Sequence, residues 1–236
     1  MKTRLALVTG LLAGLCCVSV TAQDYKPFPG VSPDQRTLET QKRVDELFEA
    51  GNYKRALFIY ENELAPRGDK YAQYMVGYMH LNGLSVPQDP ARALAWYRLS
   101  AERGDDMLGK VRDELAGALP PGEIDRSNAI FVDLLQEIGD TALIMKLVQR
   151  DLNTLKQRTG THIPGSSVSS PVKVIKPSGV PEDPLFYRDV RRRLEARLNY
   201  LETKVEINDI EVESAPAEVK SFEEQVKADL ASLDIP

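Results

Sequence analysis

Cysteine is almost missing from this chain of 236 residues, and the two that occur, Cys16 and Cys17, both lie in an apolar run near the N-terminus. If that run is removed, the remaining chain has no thiol, no disulfide and no cysteine metal site. Histidine is equally scarce. Only His80 and His162 would titrate near neutral pH without perturbation, and no acid pair, serine–histidine set, glycine-rich phosphate loop or metal-ligand spacing stands beside them. No catalytic residue, metal ligand or cofactor site is therefore assigned. The chain also lacks a basic excess. Its 30 Lys plus Arg face 35 Asp plus Glu, for a net charge of −5, and an acidic chain is a poor partner for nucleic acid.

The apolar run reads as a leader. Lys2 and Arg4 precede Leu5 to Val20, and Val20-Thr21-Ala22 offers small residues at cleavage spacing, so residues 1–22 are expected to be a secretory signal peptide cut after Ala22. A membrane anchor needs about 20 apolar residues and finds fewer. A lipid-attachment box is not expected either, because Leu15 and Cys16 stand before the cysteines in place of a small residue. Cleavage would leave 28 basic residues against 35 acidic ones, a net charge of −7, in a periplasmic or secreted protein.

The densest pattern lies between Gly68 and Gly104. Asp89 before Pro90 is an N-cap followed by a first-turn proline, and Gly104 suits the position after a helix end, which brackets a helix over 90–103. Ala93, Trp96, Tyr97 and Ala101 recur at steps of three and four and share a face. A partner helix over about 70–82 carries Ala72, Val76 and Met79 at similar spacing. Gly77 sits inside it, where glycine costs about 1 kcal/mol against alanine, and close approach of the neighbouring helix is the expected reason.

The unit recurs upstream. Arg55-Ala56-Leu57-Phe58-Ile59-Tyr60 followed by Arg67-Gly68-Asp69 matches Arg92-Ala93-Leu94-Ala95-Trp96-Tyr97 followed by Arg103-Gly104-Asp105, at an offset of 37 residues and then 36 once Pro66 is skipped. Gly104-Asp105-Asp106-Met107 restarts the phrase, with Asp113 opposite Gly77, as a degenerate third unit of the kind that ends a repeat array.

This stretch resembles the Sel-one-like repeat family, a relative of the tetratricopeptide repeats. Ala72, Gly77, Gly83, Val86, Pro87, Asp89, Ala93, Trp96, Tyr97, Ala101 and Gly104 fall on signature positions. His80 stands where tyrosine is usual, Ser85 where a second loop glycine belongs, and Ser100 where alanine is usual. The resemblance implies an all-α fold, a short α-solenoid of antiparallel helix pairs, and an adaptor or scaffold rather than an enzyme. The disulfide-stapled branch of the family is not supported, because the cysteines it needs are missing.

Around the repeats, residues 23–33 are proline-rich and expected to be flexible. A first helix over 34–50 carries Leu38, Val44, Leu47 and Phe48. The chain breaks at Leu119-Pro120-Pro121-Gly122, a helix resumes through Ile130, Val132, Leu134, Leu135 and Ile138, and Asp140 is expected to cap another with Leu143, Ile144, Leu147, Val148, Leu152 and Leu155 on one side. These two helices would close the solenoid, which is placed at 34–160. Residues 161–183 are a Pro/Ser-rich linker. The remainder, 184–236, is a C-terminal helical extension whose helices carry Val190, Leu194, Leu198 and Leu201, then Val219, Phe222, Val226 and Leu230; the stretch 204–214 between them is compatible with strand, loop or helix.

Two surfaces are candidates for partner binding. Tyr71, Tyr74 and Tyr78 share one side of a helix and either form a ligand face or pack between repeats. Arg191, Arg192 and Arg193 either recruit an acidic partner or the membrane surface, or are a solvated face. His80 is expected to be a packing residue, His162 a polar turn residue, and Glu61, Glu63, Asp105 and Asp106 solvated helix ends. The combined expectation is a periplasmic adaptor or scaffold of the bacterial envelope that binds an envelope protein or peptide, with self-association possible through the C-terminal helices. The alternative is a binder of cell-wall glycan or peptide, and, less supported, a hydrolase.

Overall fold

The computed structural model describes residues 28–157, 186–204 and 215–232. The leader, the linker with His162, and the stretch after Lys204 lie outside the described residues. Among the described residues there is no strand. The helices are α1 (Gln35–Glu49), α2 (Tyr53–Ile59), α3 (Lys70–Asn82), α4 (Pro90–Ser100), α5 (Asp106–Ala118), α6 (Pro121–Ile138), α7 (Asp140–Gln157), α8 (Phe186–Lys204) and α9 (Ala215–Ser232).

Capping explains the boundaries of the repeat hairpin. The Asp69 carboxylate accepts from the Ala72 amide at the start of α3, and Asp89 accepts from the Arg92 amide at the start of α4, with Pro90 in the first turn. Gly83 ends α3 in the left-handed region (φ 65°). The helix expected over 90–103 is α-helical to Ser100 and tightens to a 3-10 turn over Ala101–Arg103 before Gly104, whose φ of 78° fits the left-handed turn.

The upstream copy has the same ending. A 3-10 turn over Ala65–Arg67 leads into left-handed Gly68 and the cap Asp69, as Ala101–Arg103 leads into Gly104 and the cap Asp105. The one-residue difference in offset is absorbed by a π-helical turn over Tyr60–Leu64, in which the Ala65 amide reaches back to the Tyr60 carbonyl. A π turn is how a helix takes up a single extra residue without losing its later register. The insertion therefore sits in this turn and not at Pro66.

Among the described residues two apolar cores result. The first joins Val44 of α1, Ala56 and Ile59 of α2, Ala72, Val76 and Met79 of α3, Trp96 and Leu99 of α4, and Ile138 of α6. Gly77 lets α3 and α4 touch: a Cβ there would lie 2.7 Å from the Tyr97 ring and 3.1 Å from the Ala93 carbonyl. The single apolar face read for α4 is too narrow. Ala91, Leu94, Ala95, Leu99 and Ser100 are buried as well, because α3, α5 and α6 all pack against this helix. Each large apolar side chain so enclosed contributes about 1.5–3 kcal/mol.

Arg126 of α6 anchors this packing by a bidentate grip on the cap Asp89 (2.7 and 3.0 Å). His80 is buried in α3, as a packing residue would be, with neither ring nitrogen hydrogen-bonded. Burial, seconded by Arg92, lowers its pKa.

The second core joins Ile144, Leu147, Val148, Leu152 and Leu155 of α7 to Val190, Leu194, Leu198 and Leu201 of α8 and to Val219 and Val226 of α9. Of the two helices expected to close the solenoid, α6 packs on α4, whereas α7 gives its apolar stripe mainly to α8. An amphipathic stripe states that a helix has a partner without naming it, and α8 supplies a matching stripe. The cap assignment at Asp140 also changes. Gly139 flanks the helix, its carbonyl accepting from the Leu143 amide, while Asp140 is the first helical residue and its side chain turns inward.

Candidate protein-interaction groove

Helix α1 and helix α3 enclose an open groove of about 340 Å³. Tyr71, Tyr74 and Tyr78 form one wall at helical spacing, their ring centroids 6.4 Å apart at each step. Phe48 of α1 faces them, 6.1 Å from Tyr78 in an edge contact. Met75 and Tyr60 lie beneath, both buried.

The three tyrosines are not equivalent. Tyr71 is 53% exposed, whereas Tyr74 and Tyr78 are half-buried and pack on the first core. Tyr74 also stacks on Tyr97 at 5.3 Å and an interplanar angle of 18°. The ladder is thus packed at one end and open at the other.

Two carboxylates belong to the groove. Asp45 accepts the Tyr60 hydroxyl at 2.7 Å, and Glu49 stands one turn further along α1. Burial raises the pKa of the Tyr71 phenol, and Asp45, Tyr74, Asp69 and Glu49 reinforce the rise, so the ring stays neutral beside carboxylates. Burial with the Asp45 contact raises that of Tyr60 in the same sense.

Over residues 70–105 the chain matches the family model of the Sel1 repeat. The hairpin of α3 and α4 is a Sel1 repeat. Sel1 repeats mediate protein–protein interaction and are not catalytic modules as a class. No solved structure matches the chain.

The signature residues of the Sel1 repeat take definite places. Ala72, Gly77, Ala93, Trp96, Tyr97 and Ala101 are buried where α3 and α4 meet their neighbours, Gly83 and Gly104 are left-handed turn residues, and Asp89 is the cap. Val86 packs against the first core, and Pro87 is exposed in the loop before Asp89. Ser85 adopts φ 71°, alone among the described non-glycine residues, at the position where the signature has its second loop glycine.

The arginine run lies on α8 and is engaged with its own chain. Arg191 pairs with Glu195 at 3.1 Å, Arg192 with Asp189 at 3.5 Å and Arg193 with Asp151 at 3.9 Å. Beside it, Arg197 is buried against Asp151 and donates to the Pro29 carbonyl at 3.0 Å. Of the segment 23–33, expected to be flexible, Pro29 is thereby held. Phe28 is held too, lying under the Arg103 guanidinium at 3.6 Å and edge-on to Tyr200 at 5.5 Å.

Sequence reasoning missed a buried ionic cluster that joins the Sel1 repeat to the C-terminal helices. The Asp140 carboxylate, fully buried, receives Lys70 at 3.1 Å, Arg103 at 2.9 and 3.0 Å and the Tyr200 hydroxyl at 3.3 Å. Lys70 also meets Glu102 at 2.9 Å, and Glu102 accepts the Asp140 amide. Burial alone would raise the Asp140 pKa, but the hydrogen bonds and charges of Arg103 and Lys70 outweigh it and hold it below the usual carboxylate range. Among the described residues no group of three or more His, Asp or Glu is placed to hold a metal, and no helix is long and apolar enough to cross a membrane.

Proposed function

We propose that this chain is an adaptor or scaffold of the bacterial envelope that captures a protein or peptide in the groove between α1 and α3. The observation that carries the reading is the half-open tyrosine ladder. Tyr71 is an exposed ring continuous with rings packed on the core, and a rigid aromatic with one face free is what interaction hot spots are made of. The interaction role of Sel1 repeats supports the same reading. The leader-like segment before Gln23 supports the envelope as the site of action. The arginines at 191–193 stay outside the site, since each already faces a carboxylate of its own chain.

The test is site-specific photocrosslinking in intact cells. A photoreactive phenylalanine analogue in place of Tyr71 should give a discrete protein adduct, and the same analogue at exposed Glu114 should not. Equal yields at both positions would reject the groove as the site. If the Tyr71 position instead supports retention on isolated cell wall and yields no protein adduct, the glycan-binding alternative replaces the adaptor reading. N-terminal sequencing of the envelope fraction should begin at Gln23.

A further inference from the structure

The chemistry of the groove specifies what kind of side chain it takes, and this step rests on the groove being the interaction site. We infer that its occupant is a basic segment of a partner protein, with a lysine or, better, an arginine side chain laid between the tyrosine ladder and α1. Among the described residues neither Asp45 nor Glu49 forms an ion pair, and no basic residue lines the groove. The neighbouring acid on α1, Glu46, has its own partner in Lys42, so the two groove carboxylates are the ones left for a ligand.

Two alternatives fare worse on the same geometry. An apolar side chain seated here would strip water from both carboxylates and offer them nothing in return, a strongly unfavourable exchange. An acidic one would meet like charge from two sides. A cation meets the Asp45 and Glu49 charges and the Phe48 ring on the α1 side and the electron-rich Tyr71 ring on the α3 side. Arginine fits best, because its flat guanidinium stacks on a ring while its edge donates to a carboxylate. The groove volume, about 340 Å³, suits a side chain with its flanking backbone rather than a folded element.

The experiment uses the whole mature chain and fluorescein-labelled peptides of equal length that alternate serine with arginine, glutamate or leucine, read by fluorescence anisotropy. The arginine peptide should bind and the other two should not. The double variant Asp45→Asn with Glu49→Gln, which keeps an acceptor for the Tyr60 hydroxyl, should weaken binding about tenfold. Tyr71→Ala should weaken it about two- to fivefold. The control Glu114→Gln with Glu224→Gln removes the same charge elsewhere on the exposed surface and should leave binding within about twofold.

Equal losses in the control and groove variants would mean general attraction to an acidic protein and would overturn the inference. So would failure of the arginine peptide to bind. Binding of the leucine peptide that depends on Tyr71 would overturn it while leaving the groove as the interaction site, an outcome that crosslinking at Tyr71 reads separately. Circular dichroism on every variant separates lost binding from lost fold.

Discussion

Replacing Gly77 by alanine asks one methyl group to report the distance between α3 and α4. On an isolated helix the change is favourable by about 1 kcal/mol, because glycine loses more backbone freedom than alanine on folding. In this fold the new Cβ would lie 2.7 and 2.8 Å from two carbons of the Tyr97 ring and 3.1 Å from the Ala93 carbonyl. The ring has little room to swing aside, since Tyr97 is 2% exposed and stacked on Tyr74, and the Ala93 carbonyl is main chain. Overpacking of a filled core costs about 1–3 kcal/mol, and a buried ring together with a main-chain carbonyl belongs at the upper end. The net expectation is a loss of about 2 kcal/mol, or about 4–8 °C in Tm for a protein of this size. Gly109→Ala is the matched control. It makes the same chemical change inside α5, where the nearest atom to the new Cβ is a flexible arginine nitrogen at 3.9 Å, so stability should rise by about 0.5–1 kcal/mol. Urea unfolding followed by circular dichroism, with a common m-value, measures both. A Gly77→Ala protein that gains stability as Gly109→Ala does would refute the close approach of α3 and α4.

Ser85→Gly should stabilise by about 0.5–1 kcal/mol in the same assay, because serine at φ 71° bears a left-handed penalty of about 1–2 kcal/mol that the extra chain entropy of glycine only partly offsets. Asp140→Asn should destabilise by about 3 kcal/mol, the lower end for breaking a buried ion pair, since Lys70 keeps Glu102. Because the folded-state pKa of Asp140 lies below its ordinary value of 3.8, its contribution is present above that pH and is lost as pH falls through the lower folded value; the variant should therefore show a flatter acid limb in unfolding measured against pH. His80 has the opposite charge chemistry: its folded pKa is depressed below 6.5, so the unfolded chain takes up protons first and stability falls as pH drops below about 6.5, a decline that His80→Tyr should remove and that an unchanged pH profile would contradict.

The repeat hairpin was legible because every signal that defines it is local. Asp89 and Pro90 adjoin, Gly77 lies one turn beyond Ala72 and Gln73, and Gly104 closes the unit, so short-range capping and spacing rules suffice. Even the irregular offset between the two copies left a trace, although the sequence could not say whether the extra residue would form a loop at Pro66 or a π turn at Tyr60–Leu64. The groove was half legible. Its tyrosine wall is periodic along one helix, but Asp45 and Glu49 come from α1, and nothing local marks a carboxylate pair on one helix as facing an aromatic ladder on another. The Asp140 cluster was illegible for a different reason. An aspartate after glycine at the head of an apolar helix has the local form of a cap, and only long-range packing decides that Gly139 takes the flanking position and frees the Asp140 carboxylate for Lys70 and Arg103.

That cluster bears on the groove through Lys70. A lysine at the first position of a helix stands at the positive end of the helix dipole, which disfavours it by a few tenths of a kcal/mol or more, and the Lys70 side chain is largely removed from water besides. It is held there by Glu102 from the end of the repeat and by Asp140 from the head of α7. Buried ion pairs seldom add much net stability over apolar packing, but their directional contacts can fix one arrangement among several. Here the arrangement fixed is the first turn of α3, and the next residue is Tyr71, the exposed end of the ladder. The C-terminal helices thereby brace the groove without lining it: α8 sends Tyr200 to Asp140, Asp140 holds Lys70, and Lys70 sets the start of the helix that presents the tyrosines.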